Sequence, residues 1–305
     1  MRTENQRKSS NFEDRGSGRG GGGGGVPIMA LVGLVRFLGV KGTLLAGVVM
    51  IVVFLFMPAA VKEQILGALT GGGQAAPSGS AGASVCEASQ SNAAACDFSR
   101  VVLASTEDVW TPLFARGALP AYGQNSGAYQ HPTLVVFANG VSTGGCGNAT
   151  SAAGPFYCPA DQRLYIDPSF YDVMEKRLRA PGDFAQAYVI AHEVGHHVQN
   201  LIGSTRVQHQ GETSNQTSVR VELQADCLAG VWGRSAQSTL QITDEDLGEA
   251  LNAAHAIGDD TLGHADERQF THGSSEQRKR WFRRGFDSGE PRQCDTFAVQ
   301  TYREL

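Results

Sequence analysis

The stretch Asp183–Gly203, DFAQAYVIAHEVGHHVQNLIG, decides how the rest of the chain is read. Phe184, Tyr188, Val189, Ile190, Val194 and Val198 recur at helical spacing. Pro181-Gly182 precedes the run and Gly203 closes it, so a helix is expected over Asp183–Leu201. Within it His192 and His196 stand four apart, which puts both imidazoles on one helix face. Glu193 sits beside the first. This is an H-E-x-x-H pattern, whose spacing suits two ligands of a tetrahedral zinc and a carboxylate that can reach water at the metal. On a solvated helix face the pattern would mean little. Here the neighbours are apolar, and burying these polar side chains is costly unless they are paired or metal-bound.

A catalytic zinc needs a third protein ligand and an open position. Glu222-Leu-Gln-Ala-Asp226, on the next expected helix, offers Glu222 as that ligand. Asp226 lies four residues on, hence on the same face, where it can accept a hydrogen bond from a ligand imidazole. A di-iron bundle would need a second E-x-x-H, but Ala225 stands where that histidine belongs. A mononuclear iron triad leaves Glu193 without a use. The chemistry that follows is hydrolysis: the metal acidifies its water and polarises a carbonyl, while Glu193 takes the proton and passes it to the leaving amine. Candidates for stabilising the oxyanion are His272, Tyr165 and Tyr157. His197 points elsewhere on the helix and reads as structural, and His255 and His264 read as surface residues.

Outward from this helix the body reads as mostly helical with a small sheet. Helices are expected over Phe98–Phe114, from Asp167-Pro168 through Leu178, over Val219–Ala236, from the Thr243–Asp246 capping box to near Gly258, and over Gln277–Phe286 after a second such box at Ser274. Thr133–Ala138 and Gln162–Ile166 read as strands. Ser204–Ser218 is a polar connection.

The front of the chain differs. Gly42–Val61 carries no charge, and twenty residues at about 1.5 Å each span the ~30 Å hydrocarbon core of a bilayer. A cleaved signal peptide would start nearer Met1. Residues 28–61 are therefore expected to be a membrane anchor, 1–27 a disordered cytoplasmic tail, 62–94 a flexible linker and 95–305 the folded domain. Arg2, Arg7, Lys8, Arg15, Arg19, Arg36 and Lys41 precede the apolar core, and only Lys62 closely follows it. The positive-inside rule then places the N-terminus in the cytoplasm and the body outside.

The formal net charge of the chain is −5. Residues 1–27 contribute five cations against three acids and residues 28–62 three cations, so the remainder carries −10. An acidic body argues against a nucleic-acid partner. Six cysteines fit an exported, oxidising location. Chain neighbours suggest the pairs Cys86–Cys96, Cys146–Cys158 and Cys227–Cys294, one of fifteen pairings. Cys227 as a zinc ligand is the rival, but five residues after Glu222 it points off that face.

These residues resemble the bacterial neutral zinc metallopeptidase family of membrane-anchored proteins. The resemblance rests on Asn11–Arg15 before a Gly-rich run, the apolar span, Gly154–Asp161, His192–His197, Glu222–Cys227 and Phe270–Ser275 through Gly289. It implies an α+β, zincin-like metallopeptidase domain with an active-site helix, preceded by one transmembrane helix in the bacterial inner membrane. It further implies one Zn2+ per chain on His192, His196 and Glu222, Glu193 as base, Asp226 as the orienting carboxylate, and His272 as first choice for the oxyanion. The partners implied are the lipid bilayer and a peptide or unfolded protein, with the peptide adding to a sheet edge at Gln162–Ile166. The competing reading is a catalytically silent zinc-binding envelope module that engages protein partners.

Overall fold

A computed structural model of the chain describes residues 1–17, 83–122 and 127–305. The expected anchor at 28–61 lies outside them. Among the described residues no helix is long and apolar enough to cross a membrane.

The sheet is built around β2 (Thr133–Ala138), with β1 (Phe12–Ser17) parallel on one side and β6 (Arg163–Ile166) parallel on the other. β5 (Phe156–Cys158) closes the far edge, antiparallel to β6. β3 (Gly140–Ser142) and β4 (Asn148–Thr150) form a separate hairpin. After Thr133 the run LVVFA is apolar because both faces are covered. Leu134 and Val136 enter the main core with Leu164 and Ile166, while Val135 and Phe137 pack with Tyr165 and Cys158 on the other face.

Helix α1 (Gln90–Ala115) sends Val102, Leu103, Trp110 and Phe114 into the core. It starts earlier than the apolar pattern suggested, because Ser89 caps it and the Cys86–Cys96 disulfide staples its first turns. Short α2 (Ser169–Lys176) follows the sheet. Then come α3 (Asp183–Ile202), α4 (Ser214–Ala236), α5 (Asp244–Ala256) and α6 (Ser275–Ser288). Helix α4 begins inside the stretch read as a polar connection. Thr213 and Gln216 form a reciprocal capping box there, and this local signal outweighs the lack of apolar residues before Val219.

Three glycines let the helices approach to backbone contact. A Cβ on Gly195 of α3 would lie 2.9 Å from the Ala225 carbonyl oxygen of α4. One on Gly230 would collide with the Phe282 carbonyl, and one on Gly285 with the Cys227 carbonyl, so α4 and α6 also lie backbone against backbone. The Cys227–Cys294 disulfide ties α4 to the chain beyond α6.

Two expectations are corrected. Residues 1–17 are no disordered tail: Ser9 is buried, and β1 takes an edge of the sheet. The fold also takes in residues 83–94, assigned above to the linker, where Val85 is buried and Ser89 starts α1.

Candidate metal centre

Helix α3 enters the core on its apolar face and carries His192, Glu193 and His196 along the floor of a cleft of about 600 Å3. The close crossing at Gly195 brings α4 alongside and sets Glu222 against both rings. Glu222 Oε2 lies 3.2 Å from His192 Nε2, and Glu222 Oε1 lies 3.5 Å from His196 Nε2. One donor atom from each residue falls within 4.8 Å of the others, which is the reach of a single ion. Glu193 lines the same cleft.

Each imidazole is fixed through its other nitrogen. His192 Nδ1 bonds Asp226 Oδ1 at 2.8 Å. Asp226 is fully buried, and it also accepts from Tyr188 Oη at 2.5 Å and from the guanidinium of Arg278 at 2.8 and 2.9 Å. His196 Nδ1 bonds Gln199 Oε1 at 2.8 Å, and the Gln199 amide donates to the Val221 carbonyl at 2.7 Å. Both rings therefore offer Nε2 to the cleft.

The electrostatics suit a cation. Burial opposes charge on His192, yet Asp226 and Glu222 outweigh it and raise the ring to about 10. Burial likewise pushes the Glu222 carboxyl up, but His196 and His192 hold it below the ordinary carboxylate range. For Asp226, Arg278 and His192 overcome burial and bring the carboxyl down to about 2. Two carboxylates facing two imidazoles draw positive charge to the point where the three donor atoms converge. The donor set, two nitrogens and one carboxylate oxygen, fits zinc.

His272 lines the cleft, and its side chain is half exposed. Its Nδ1 lies 3.2 Å from Asp259 Oδ1, and Asp259 Oδ2 accepts from the backbone N–H groups of Thr271, His272 and Gly273. Tyr157 also lines the cleft, but its hydroxyl lies 3.0 Å from His197 Nδ1 and accepts from Asn200. His197 is buried and pairs through Nε2 with the Gln130 carbonyl. Tyr165 is not brought to the cleft: its hydroxyl donates to Asp161. His255 and His264 are exposed. Cys227 is in a disulfide, and the remaining cysteines pair as Cys86–Cys96 and Cys146–Cys158.

The residues that support the site were the ones missed. Gln199 stands three after His196 on the same face, a spacing that could have flagged it. Arg278 and Asp259 lie far along the chain, in α6 and the turn before it, with no spacing that points to α3. The edge strand along the cleft is β5, with Phe156 and Tyr157, rather than Gln162–Ile166; β6 is paired on both sides.

Fold and site together define a mostly helical α+β protein of the H-E-x-x-H class with a downstream glutamate. The chain belongs to the family described as "Putative neutral zinc metallopeptidase", which matches residues 1–297. It is 44% identical over 308 residues to "Uncharacterized protein YpfJ" of Escherichia coli strain K12, covering 97% of this chain and 99% of that protein. It is 41% identical over 212 residues to "Uncharacterized protein Mb2605" of Mycobacterium bovis, covering 64% of this chain and 68% of that one. No solved structure matches it.

Proposed function

We propose that the protein is a zinc-dependent peptidase that hydrolyses peptide bonds in unfolded or extended protein, with one zinc held by His192, His196 and Glu222. The observation that carries this reading is the convergence of the two Nε2 atoms and the Glu222 carboxylate, with Glu193 in the same cleft. A bound zinc would supply Lewis acidity, polarising the scissile carbonyl and acidifying water.

Glu193 takes the proton of the attacking water and delivers it to the departing amine. Asp226 and Gln199 hold the two imidazoles in the tautomer that leaves Nε2 free. His272, aimed by Asp259, donates to the oxygen that gains charge as water adds to the carbonyl. Among the described residues its Nε2 has no hydrogen-bond partner, whereas the Tyr157 hydroxyl is already engaged with His197 and Asn200. The outer edge of β5, which no strand among the described residues pairs, accepts the substrate main chain as an added strand. Phe170, Val173, Leu178 and Val189 give the cleft an apolar wall for a side chain.

Glu193→Gln is expected to keep its zinc and lose about 10²–10⁴-fold in activity, the usual worth of a general base. Glu222→Ala is expected to lose zinc. Metal content and cleavage of a panel of denatured proteins, measured for both variants and wild type, decide the matter. A wild-type protein that holds zinc and cleaves nothing would leave only the silent binding module.

A further inference from the structure

Residues on either side of 18–82 are knotted together. The Ser17 N–H donates to the Ala83 carbonyl at 3.2 Å. Just before it, the Asp14 carboxylate accepts from the Val85 and Cys86 N–H groups, the Ser84 hydroxyl and the Gly16 N–H. Ser17 and Ala83 are therefore neighbours in space, beside the Cys86–Cys96 disulfide.

That knot belongs to the same folded unit as the metal centre. β1 pairs with β2 from Phe12 to Ser17, and the segment before it crosses the body. Ser9 N–H donates to the Arg100 carbonyl, and Ser9 Oγ and Asn11 Nδ2 donate to Glu107. The basic residues there are committed as well. Arg7 pairs with Glu107 and Asp108, Lys8 with Asp97, and Arg15 with Glu13. These cations entered the positive-inside count, yet their partners are acids of the fold rather than lipid headgroups.

From this we infer that residues 1–17 and the metal centre lie together on the outer, oxidising face of a membrane. A strand cannot be hydrogen-bonded to a sheet on the far side of a bilayer, so β1 and the metal centre share one side. The side is set by sulfur chemistry: all six cysteines are in disulfides, which persist outside the cytosol. Membrane attachment is expected from the uncharged stretch Gly42–Val61, twenty residues long.

The test uses the full chain in bacterial spheroplasts. Ser10→Cys and Gln300→Cys, both at exposed positions, are each treated with a membrane-impermeant maleimide, and label is read in the alkali-washed membrane fraction. The expected result is equal labelling at both positions in intact spheroplasts, unchanged when detergent opens the membrane. Labelling of Gln300→Cys in intact cells with Ser10→Cys reached only in detergent would overturn the inference in favour of one crossing. Protection of both would overturn it by placing the fold inside, and recovery in the alkali-soluble fraction would overturn the membrane attachment. An epitope tag before Met1, scored by protease access, gives the same reading if the added thiol disturbs the disulfides. None of these outcomes depends on peptidase activity, so this inference and the proposed function fail separately.

Discussion

Two imidazoles meet at the metal centre, and each is held from behind by a different kind of group. Behind His192 stands a charged chain of Asp226, Tyr188 and Arg278, all buried. Behind His196 stands the neutral amide of Gln199, itself tied to a backbone carbonyl. Depth accounts for the difference. The His192 side chain is 7% exposed and the His196 side chain 17%. In the deeper half a lone carboxylate would be too costly to bury, so the anion that orients the ring comes with its own cation. Nearer the rim an amide fixes the ring without any charge to compensate.

The most severe way to break the deep half is to remove the cation and leave the anion. Arg278→Met leaves the buried Asp226 with His192 as its remaining cationic partner, and breaking a buried pair in this way costs up to about 3–5 kcal/mol. Denaturant unfolding in chelator should show this loss with no metal bound. The double variant Arg278→Met with Asp226→Asn should regain part of it, because the stranded charge is gone. A double variant as unstable as the sum of the two singles would mean that the pair is not a compensated unit.

Metal affinity sharpens the contrast next. Asp226→Asn removes the negative charge that makes His192 a better donor, and loss of such a partner lowers metal affinity about 10–100-fold. Arg278 is also left without its counterion, so stability should fall together with affinity. Competition against a chelator of known strength reads the first and unfolding of the metal-free protein the second. An Asp226→Asn protein with unaltered zinc affinity would detach Asp226 from the metal and leave it a purely structural residue.

How far the sequence revealed all this follows the same divide between local and remote. His192, Glu193 and His196 share two turns of one helix, and Glu222 and Asp226 share the next, so periodicity alone exposes them. Gly195 is legible only afterwards, as the residue whose missing side chain lets those two helices touch. Arg278 reaches the site because Gly230 and Gly285 let α6 lie against α4, a fact of packing that no spacing encodes. The N-terminal strand was hidden for a related reason. NFEDRGS is polar, lacks clean alternation and ends in glycine and serine, so nothing local marks it as a strand. What makes it one is a partner at Leu134–Ala138, more than a hundred residues away, together with the salt bridge from Arg163 to Glu13. Thr213 escapes an apolar periodicity because the helix begins with a polar capping box.

The smallest expected effect lies in the rim half. Gln199→Leu leaves the His196 Nδ1–H without its acceptor and Gln224 Oε1 without the Gln199 donor, takes a second donor from the Val221 carbonyl, and introduces no buried charge. With no ion stranded, the metal-free protein should lose about 1–3 kcal/mol, the cost of unsatisfied neutral groups, and so less than Arg278→Met. Zinc affinity should fall by about tenfold, near the lower end for a supporting partner, because the amide orients the ring without adding to its basicity. Gln199→Glu separates orientation from charge. It restores an acceptor for Nδ1 and supplies a carboxylate, but no buried arginine stands behind it. Zinc should then bind at least as tightly as in wild type while the metal-free protein is destabilised. If Gln199→Glu instead lowered zinc affinity as far as Gln199→Leu, the amide's hold on the α4 backbone would be its main contribution, and the two halves of the site would differ in architecture rather than in charge.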